Sequence, residues 1–106
     1  MMKFGLRETD IQKINMILSK YSKIDKTIIY GSRAKGNYSD SSDIDLTLVG
    51  ENLNFSTQCQ IEDELDDILL PYKIDLSIFH QISNSNLIAH INRIGKIFYQ
   101  NNLSKT

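Results

Sequence analysis

Two aspartates separated by a single residue are the first feature of this sequence that points to chemistry. Asp43 and Asp45 lie in the segment Ser42-Asp43-Ile44-Asp45-Leu46, which alternates acidic and apolar side chains. Residues two positions apart on a β-strand leave the same face of the sheet. We therefore expect both carboxylates to project together, while the isoleucine and leucine beside them point into a hydrophobic core.

A third acid, Asp75, follows the same alternation in Lys73-Ile74-Asp75-Leu76. If the two acid-bearing strands are neighbours, three carboxylates converge. Two unit charges about 4 Å apart repel by roughly 4 kcal/mol at an effective dielectric constant near 20, and a divalent cation offsets this cost. Carboxylates with room for phosphate oxygens suit Mg²⁺. We predict that Asp43, Asp45 and Asp75 are catalytic residues that bind magnesium, as two ions in a two-metal arrangement.

A short glycine-bounded segment precedes the aspartate pair and has the sequence Gly31-Ser32-Arg33-Ala34-Lys35-Gly36. Gly31 allows a sharp bend and the close approach of a phosphate group, and Ser32 offers a hydroxyl and a backbone N–H. If residues 32–35 begin a helical turn, their free N–H groups point at an anion. Arg33 and Lys35 either add positive charge to this nucleotide-binding turn or are ordinary solvated charges.

Helices alternate with strands along the chain, which predicts an α/β fold in one domain over residues 1–106. The predicted helices are Thr9–Tyr21, with Thr9 and Gln12 as a capping box, Ser56–Leu70, and a last one that starts near Ser83-Asn84-Ser85 and ends before Gly95. The predicted strands are Thr27–Tyr30, Asp43–Val49, Tyr72–Phe79 and Ile97–Tyr99, followed by a frayed polar tail from Asn101 to Thr106. Alternation leaves sheet order and strand direction open.

The composition of the chain argues against several classes of function. The formal net charge is -1 over 106 residues, which argues against general nucleic-acid binding, because such proteins carry a basic excess. No apolar run is long enough to predict a transmembrane helix, and the N-terminus lacks the apolar segment of a signal peptide. The one cysteine, Cys59, cannot form an internal disulfide. These features predict a cytoplasmic protein that does not contact a membrane.

Taken together, the glycine turn, the aspartate pair and the later aspartate resemble the signature of the DNA polymerase beta-like nucleotidyltransferase superfamily. The short length and the Ser-Asp-Ile-Asp-Leu form are similar to its minimal nucleotidyltransferase family, the MNT or MntA-like proteins. The resemblance covers Thr27 to Phe79 closely. It implies the nucleotidyltransferase fold, a small mixed β-sheet flanked by helices. Lys35 stands where arginine is frequent in the family, which keeps the charge but loses bidentate phosphate contact.

The resemblance also implies an activity and a partner. Family members bind a nucleoside triphosphate and Mg²⁺ and transfer the nucleoside monophosphate, so we expect AMP transfer from ATP to a hydroxyl group. Many minimal members are antitoxins that pair with a helical HEPN-domain toxin and can adenylylate its tyrosine, which implies a hetero-oligomer. In this scheme Gly31 and Ser32 hold the β and γ phosphates, Asp43 and Asp45 bind the metals, and Asp75 completes the metal site and accepts the proton.

Two alternatives stay open at the level of sequence. The chain could be an antitoxin that acts by binding alone, although an idle carboxylate cluster would only cost stability. It could also be the nucleotidyl module of an enzyme that modifies a small molecule such as an antibiotic, although 106 residues leave little room for a substrate domain. The acidic run Glu62–Asp67 is either a solvated helix face or a patch for a basic partner. The acceptor, the nucleotide and the oligomeric state are not specified by the sequence.

Overall fold

The computed structural model of the protein describes residues 2–101. Its strands are β1 (Met2–Lys3), β2 (Leu6–Arg7), β3 (Lys26–Tyr30), β4 (Ile44–Val49), β5 (Ile74–Ile78) and β6 (Lys96–Gln100). Its helices are α1 (Glu8–Leu18), α2 (Gly31–Lys35), α3 (Phe55–Asp67) and α4 (Ser85–Ile94), and a 3-10 turn spans Phe79–Gln81. Within the described range, no helix has both the length and the apolar character needed to cross a membrane.

The four longer strands form one mixed sheet in the order β5-β4-β3-β6. β3 pairs antiparallel with both β4 and β6, and β4 pairs parallel with β5. The parallel pair is joined through α3, because parallel neighbours require a crossover connection. The predicted small mixed sheet flanked by helices is confirmed. The strand order, which alternation left open, makes the two acid-bearing strands direct neighbours.

One face of the sheet forms the core with α1 and α3. Ile44, Leu46 and Leu48 of β4 are fully buried, and all three belong to a cluster with residues of both helices. The shared core members on sheet and helices include Ile14, Leu18, Ile29, Leu46, Leu48, Ile61, Leu65 and Leu76. The predicted alternation along β4 is therefore confirmed, and Asp45 lies on the opposite face of the strand.

The helix α1 begins one residue before the predicted start. Its N-cap is Arg7, in an extended conformation and without a side-chain cap hydrogen bond. The predicted capping box of Thr9 and Gln12 is therefore wrong, because β2 runs directly into the helix and places Thr9 inside the first turn. The helix also ends at Leu18 rather than Tyr21, which lies in the following turn.

The helix α3 ends at Asp67 rather than at the predicted Leu70. Leu69 adopts a left-handed conformation with φ 53°, which ends the helical path two residues before Pro71. The predicted cap of the last helix is confirmed, since the Asn84 side chain accepts hydrogen bonds from two backbone amides of the first turn of α4. β5 is shorter than predicted by two residues at its start and one at its end. Residues 102–106 of the predicted frayed tail lie outside the described residues.

The sequence did not predict the hairpin of β1 and β2 at the N-terminus. Its turn consists of Phe4 and Gly5, both with positive φ (58° and 73°). A Cβ atom on Gly5 would lie 2.3 Å from the ring of Tyr38 and 2.8 Å from the guanidinium of Arg33. Glycine at this position therefore lets the hairpin approach the loop that leads into β4.

Candidate active site

Asp45 and Asp75 lie directly opposite each other on the neighbouring parallel strands β4 and β5. Neighbouring strands are about 4.8 Å apart, and the equal register puts both side chains on the same face of the sheet. On the other side of β4, Tyr30 is the antiparallel partner of Asp45. The strand pairing on which the predicted convergence depended is therefore present for these two aspartates.

Asp43 is exposed and lies immediately before the first residue of β4. Burial raises the pKa of Asp45, the Asp75 and Asp43 carboxylates raise it further, and His90 acts in the opposite direction. The same surroundings act on Tyr30, whose pKa is raised by burial and by the carboxylates of Asp45 and Asp75. The three aspartates thus share one electrostatic environment in which ionised Asp45 is disfavoured.

The three carboxylates are not assembled into a preformed metal site. Among residues 2–101, no group of three His, Cys, Asp or Glu side chains is gathered closely enough to hold a metal ion. The donor set still fits magnesium, which prefers carboxylate oxygens and takes its other ligands from phosphates and water. Burial raises the pKa of Asp45 most, and the repulsion by Asp75 and Asp43 that adds to it is a cost that a divalent cation would relieve.

The glycine turn lies against the aspartates. Gly31 follows β3 directly and has φ 74°, a conformation that favours glycine. A Cβ atom at this position would lie 2.3 Å from Oδ2 of Asp45, so the absence of a side chain leaves space for this carboxylate. The half-buried Ser32 is the second residue of α2. The helical turn expected over residues 32–35 is present and brings Ser32 next to the Asp45 side of the site.

His90, which the sequence did not single out, supports this turn from α4. The backbone N–H of Gly31 donates a hydrogen bond to Nε2 of His90 over 3.1 Å, and the imidazole packs edge-on against Tyr30 with 6.2 Å between ring centroids. The Gly31 amide is therefore occupied within the protein. Because 59 residues separate the two partners, no local sequence pattern could have identified this contact.

Arg33 does not lie where the nucleotide-binding prediction placed it. Its side chain is among the largest that are fully buried, at 2% exposure. The guanidinium donates hydrogen bonds to the backbone carbonyls of Phe4 and Ser42, so it is not directed at a phosphate position. Lys35, by contrast, is exposed in the last turn of α2. The prediction for Arg33 is corrected because backbone carbonyls satisfy its donors.

Comparison with known proteins gives the family. The sequence model of the family described as polymerase beta, nucleotidyltransferase matches residues 12–104. The chain belongs to the polymerase beta nucleotidyltransferase family. This membership confirms the superfamily recognised from the glycine turn and the aspartates, and with it the classification as a nucleotidyltransferase.

A relative from Methanocaldococcus jannaschii, provisionally described as a protein adenylyltransferase, is 46% identical over 39 residues. That match covers 36% of this nucleotidyltransferase chain and spans only 39% of the relative's length. Several solved structures resemble the fold over almost the whole chain. One is a toxin–antitoxin complex with AMP-PNP, with 20% identity, a TM-score of 0.68, and coverage of 93% of this chain and 77% of that one.

Another contains an MNT antitoxin in complex with a tri-AMPylated HEPN toxin from Shewanella oneidensis. Its identity is 17% and its TM-score 0.66, and the match covers 92% of this nucleotidyltransferase chain and 76% of that one. At these identities the likeness shows a shared fold.

Proposed function

We propose that this chain transfers AMP from ATP to a hydroxyl group of a protein partner, with magnesium bound by Asp43, Asp45 and Asp75. The observation that carries the proposal is the register of β4 and β5, which sets Asp45 opposite Asp75 on the face that also meets the Gly31 turn. An acidic pair beside a glycine-lined backbone suits a metal-bound triphosphate, which needs both carboxylate ligands and close backbone approach.

The triphosphate is held by the turn. Ser32 supplies a hydroxyl and a backbone N–H, and exposed Lys35 supplies positive charge from the end of the same short helix. Gly31 contributes space rather than a donor, because its N–H is bonded to His90. Magnesium, when bound to the aspartates, stabilises the negative charge that develops on the phosphate oxygens.

The acceptor oxygen forms a bond to the α-phosphorus while the bond from that phosphorus to the bridging oxygen breaks. Pyrophosphate leaves, and the proton of the acceptor hydroxyl passes to the carboxylate of Asp75. Asp75 suits this role because it is exposed at the edge strand of the sheet, where an incoming acceptor can reach it. Asp45 is more enclosed and would hold the cation.

We propose a tyrosine of a HEPN-domain protein as the acceptor, in a hetero-oligomer in which this chain is the antitoxin. The fold it shares with the antitoxin bound to a tri-AMPylated HEPN toxin supports this partner. The exposure of Asp43 and Asp75 supports it as well, since a macromolecular hydroxyl can approach an open site. Exposed acids on α3, among them Asp63, Asp66 and Asp67, could steer a basic partner at low ionic strength.

Co-expression with a HEPN-domain protein, sought in the reading frame adjacent to that of this chain, tests the proposal. Intact-mass and peptide mass spectrometry of the purified partner should show AMP adducts on tyrosine. The adducts should vanish when this chain carries Asp43→Asn with Asp45→Asn. A partner that co-purifies without any adduct would support antitoxin action by binding alone, and modification of a small molecule with no bound partner would support the antibiotic-type alternative. Either outcome would contradict the proposed reaction.

A further inference from the structure

We propose that Arg33 is a positioning residue that locks the backbone just before Asp43 to the glycine turn, so that the exposed aspartate keeps a fixed place beside Asp45. The role in catalysis rests on the proposed function, whereas the mechanical role does not. We name the contact group the Arg33 clamp: the guanidinium of Arg33, the carbonyls of Phe4 and Ser42, and the rings of Tyr38 and Tyr72.

In the Arg33 clamp, the carbonyl oxygen of Ser42 accepts two hydrogen bonds from the guanidinium. Nε and Nη2 of Arg33 donate to the Ser42 carbonyl over 3.1 and 2.9 Å. Nη1 donates to the Phe4 carbonyl over 2.9 Å. The side chain is 2% exposed, and hydrogen bonds from a charged donor are stronger than those between neutral groups. Loss of this donor would leave carbonyl groups without partners, which is costly in a buried position.

Aromatic rings offset the cost of burying the charge. The guanidinium carbon lies 5.2 Å from the centroid of Tyr38 and 5.0 Å from that of Tyr72, within the range of cation–π attraction. Within residues 2–101 the structure shows no ion pair between Arg33 and a carboxylate. In the described part of the chain, carbonyl groups and aromatic rings alone hold the buried Arg33 side chain. It therefore joins three chain segments: the β1–β2 hairpin, the Gly31 turn and the loop before β4.

Apart from Arg33, the loop that the clamp holds is bonded mainly within itself, through hydrogen bonds between Ser39 and Ser42. Residues 37–41 are all exposed, and the half-buried Ser42 is the last residue before Asp43. On the other side of Asp43, the N–H of Ile44 donates to the carbonyl of Lys73 at the start of β5. Asp43 is thus fixed through its two neighbours, one held by Arg33 and the other by the sheet. Since Arg33 directly follows Ser32, the clamp connects the loop that leads to Asp43 with the turn that carries Ser32.

The substitution Arg33→Lys separates this role from phosphate binding. Lysine keeps the charge but cannot make a planar fork to one carbonyl. We expect kcat to fall by about 10²-fold, the scale of a displaced catalytic group, while the KM for ATP stays within about twofold. A phosphate ligand would behave in the opposite way, with KM raised and partial retention by lysine. The matched control is Arg7→Lys, the same change at a side chain that is 67% exposed, which should alter neither value.

Hydrogen–deuterium exchange gives a readout that needs no activity. Without nucleotide, Arg33→Lys should accelerate exchange in residues 37–44 and leave β3 and α3 unchanged, and Arg7→Lys should leave all of them unchanged. If Arg33→Lys does not fold, Tyr38→Leu, which removes one ring from the guanidinium, should cause a smaller change in the same direction. Unchanged exchange over residues 37–44, or a rise in KM without a fall in kcat, would overturn the clamp. If the wild type transfers nothing, the proposed function fails and the exchange result still decides the clamp.

Discussion

Replacing Asp43 and Asp45 together by asparagine should abolish nucleotidyl transfer and leave the fold intact. The loss of the two proposed magnesium ligands should remove several kcal/mol of transition-state stabilisation, which corresponds to at least about 10³-fold in rate. The fold should survive because the core face of β4 consists of Ile44, Leu46 and Leu48, and these residues do not change. Transfer assays and denaturant unfolding of the metal-free protein measure the two effects separately.

The pKa shift of Asp45 predicts whether the double variant is more or less stable than the wild type. Its pKa in the folded protein is raised, first by burial and then by Asp75 and Asp43, so the folded state binds its proton more tightly than the unfolded chain. Stability therefore falls as pH rises through this pKa, above about pH 4. Asparagine carries no such proton, and the metal-free double variant should be at least as stable as the wild type at neutral pH.

The matched control for this prediction is Asp25→Asn with Glu51→Gln. These exposed acids lie just before β3 and just after β4, at the end of the sheet away from Asp45. Their replacement changes the net charge by the same amount. This control should retain wild-type transfer. Full activity in the Asp43 and Asp45 variant, or unfolding of that variant at neutral pH, would contradict the assignment of these residues.

A second large effect is expected from Gly31→Ala, with Gly36→Ala as an unusually close control. Both glycines have positive φ, 74° and 91°, so alanine should destabilise the fold by about 1–2 kcal/mol at either position. They differ in what the new methyl group meets: Oδ2 of Asp45 at 2.3 Å for Gly31, and nothing within 4 Å for Gly36. At Gly31 the carboxylate must rotate away from its position.

The two variants should therefore lose similar stability and differ in activity. We expect Gly31→Ala to reduce kcat by about 10²-fold, since a displacement near 1 Å can have this effect, and Gly36→Ala to stay close to the wild type. Thermal unfolding and steady-state kinetics of the pair test this. Equal activities in the two variants would show that the space beside Asp45 is not needed for catalysis.

The sequence was most informative where the alternation of side chains was regular. Along β4 the alternation predicted which side chains enter the core and which face of the sheet carries Asp45. It could not predict that Asp45 and Asp75 would be opposite each other, because this register depends on strand order. Strand order is set by the packing of helices on the whole sheet, and no local period encodes it.

Contacts between distant segments were missed for a related reason. Arg33 bonds to the carbonyl of Phe4, which lies in a hairpin whose strands are only two residues long and give no periodic signal. His90 reaches Gly31 from a helix near the other end of the chain. In both cases the sequence gives the residue type but not the partner, and for Arg33 the type alone suggested phosphate binding.

The position of a radioactive label tests the central claim most directly. The chain and its proposed HEPN-domain partner are incubated with Mg²⁺ and ATP labelled either at the α-phosphate or at the γ-phosphate. Nucleotidyl transfer predicts that the α-label becomes attached to the partner, that the γ-label is released as pyrophosphate, and that EDTA prevents both. Attachment of the γ-label would indicate phosphoryl transfer instead. Absence of either label from the partner, with the wild-type chain and Mg²⁺ present, would contradict the proposed adenylylation.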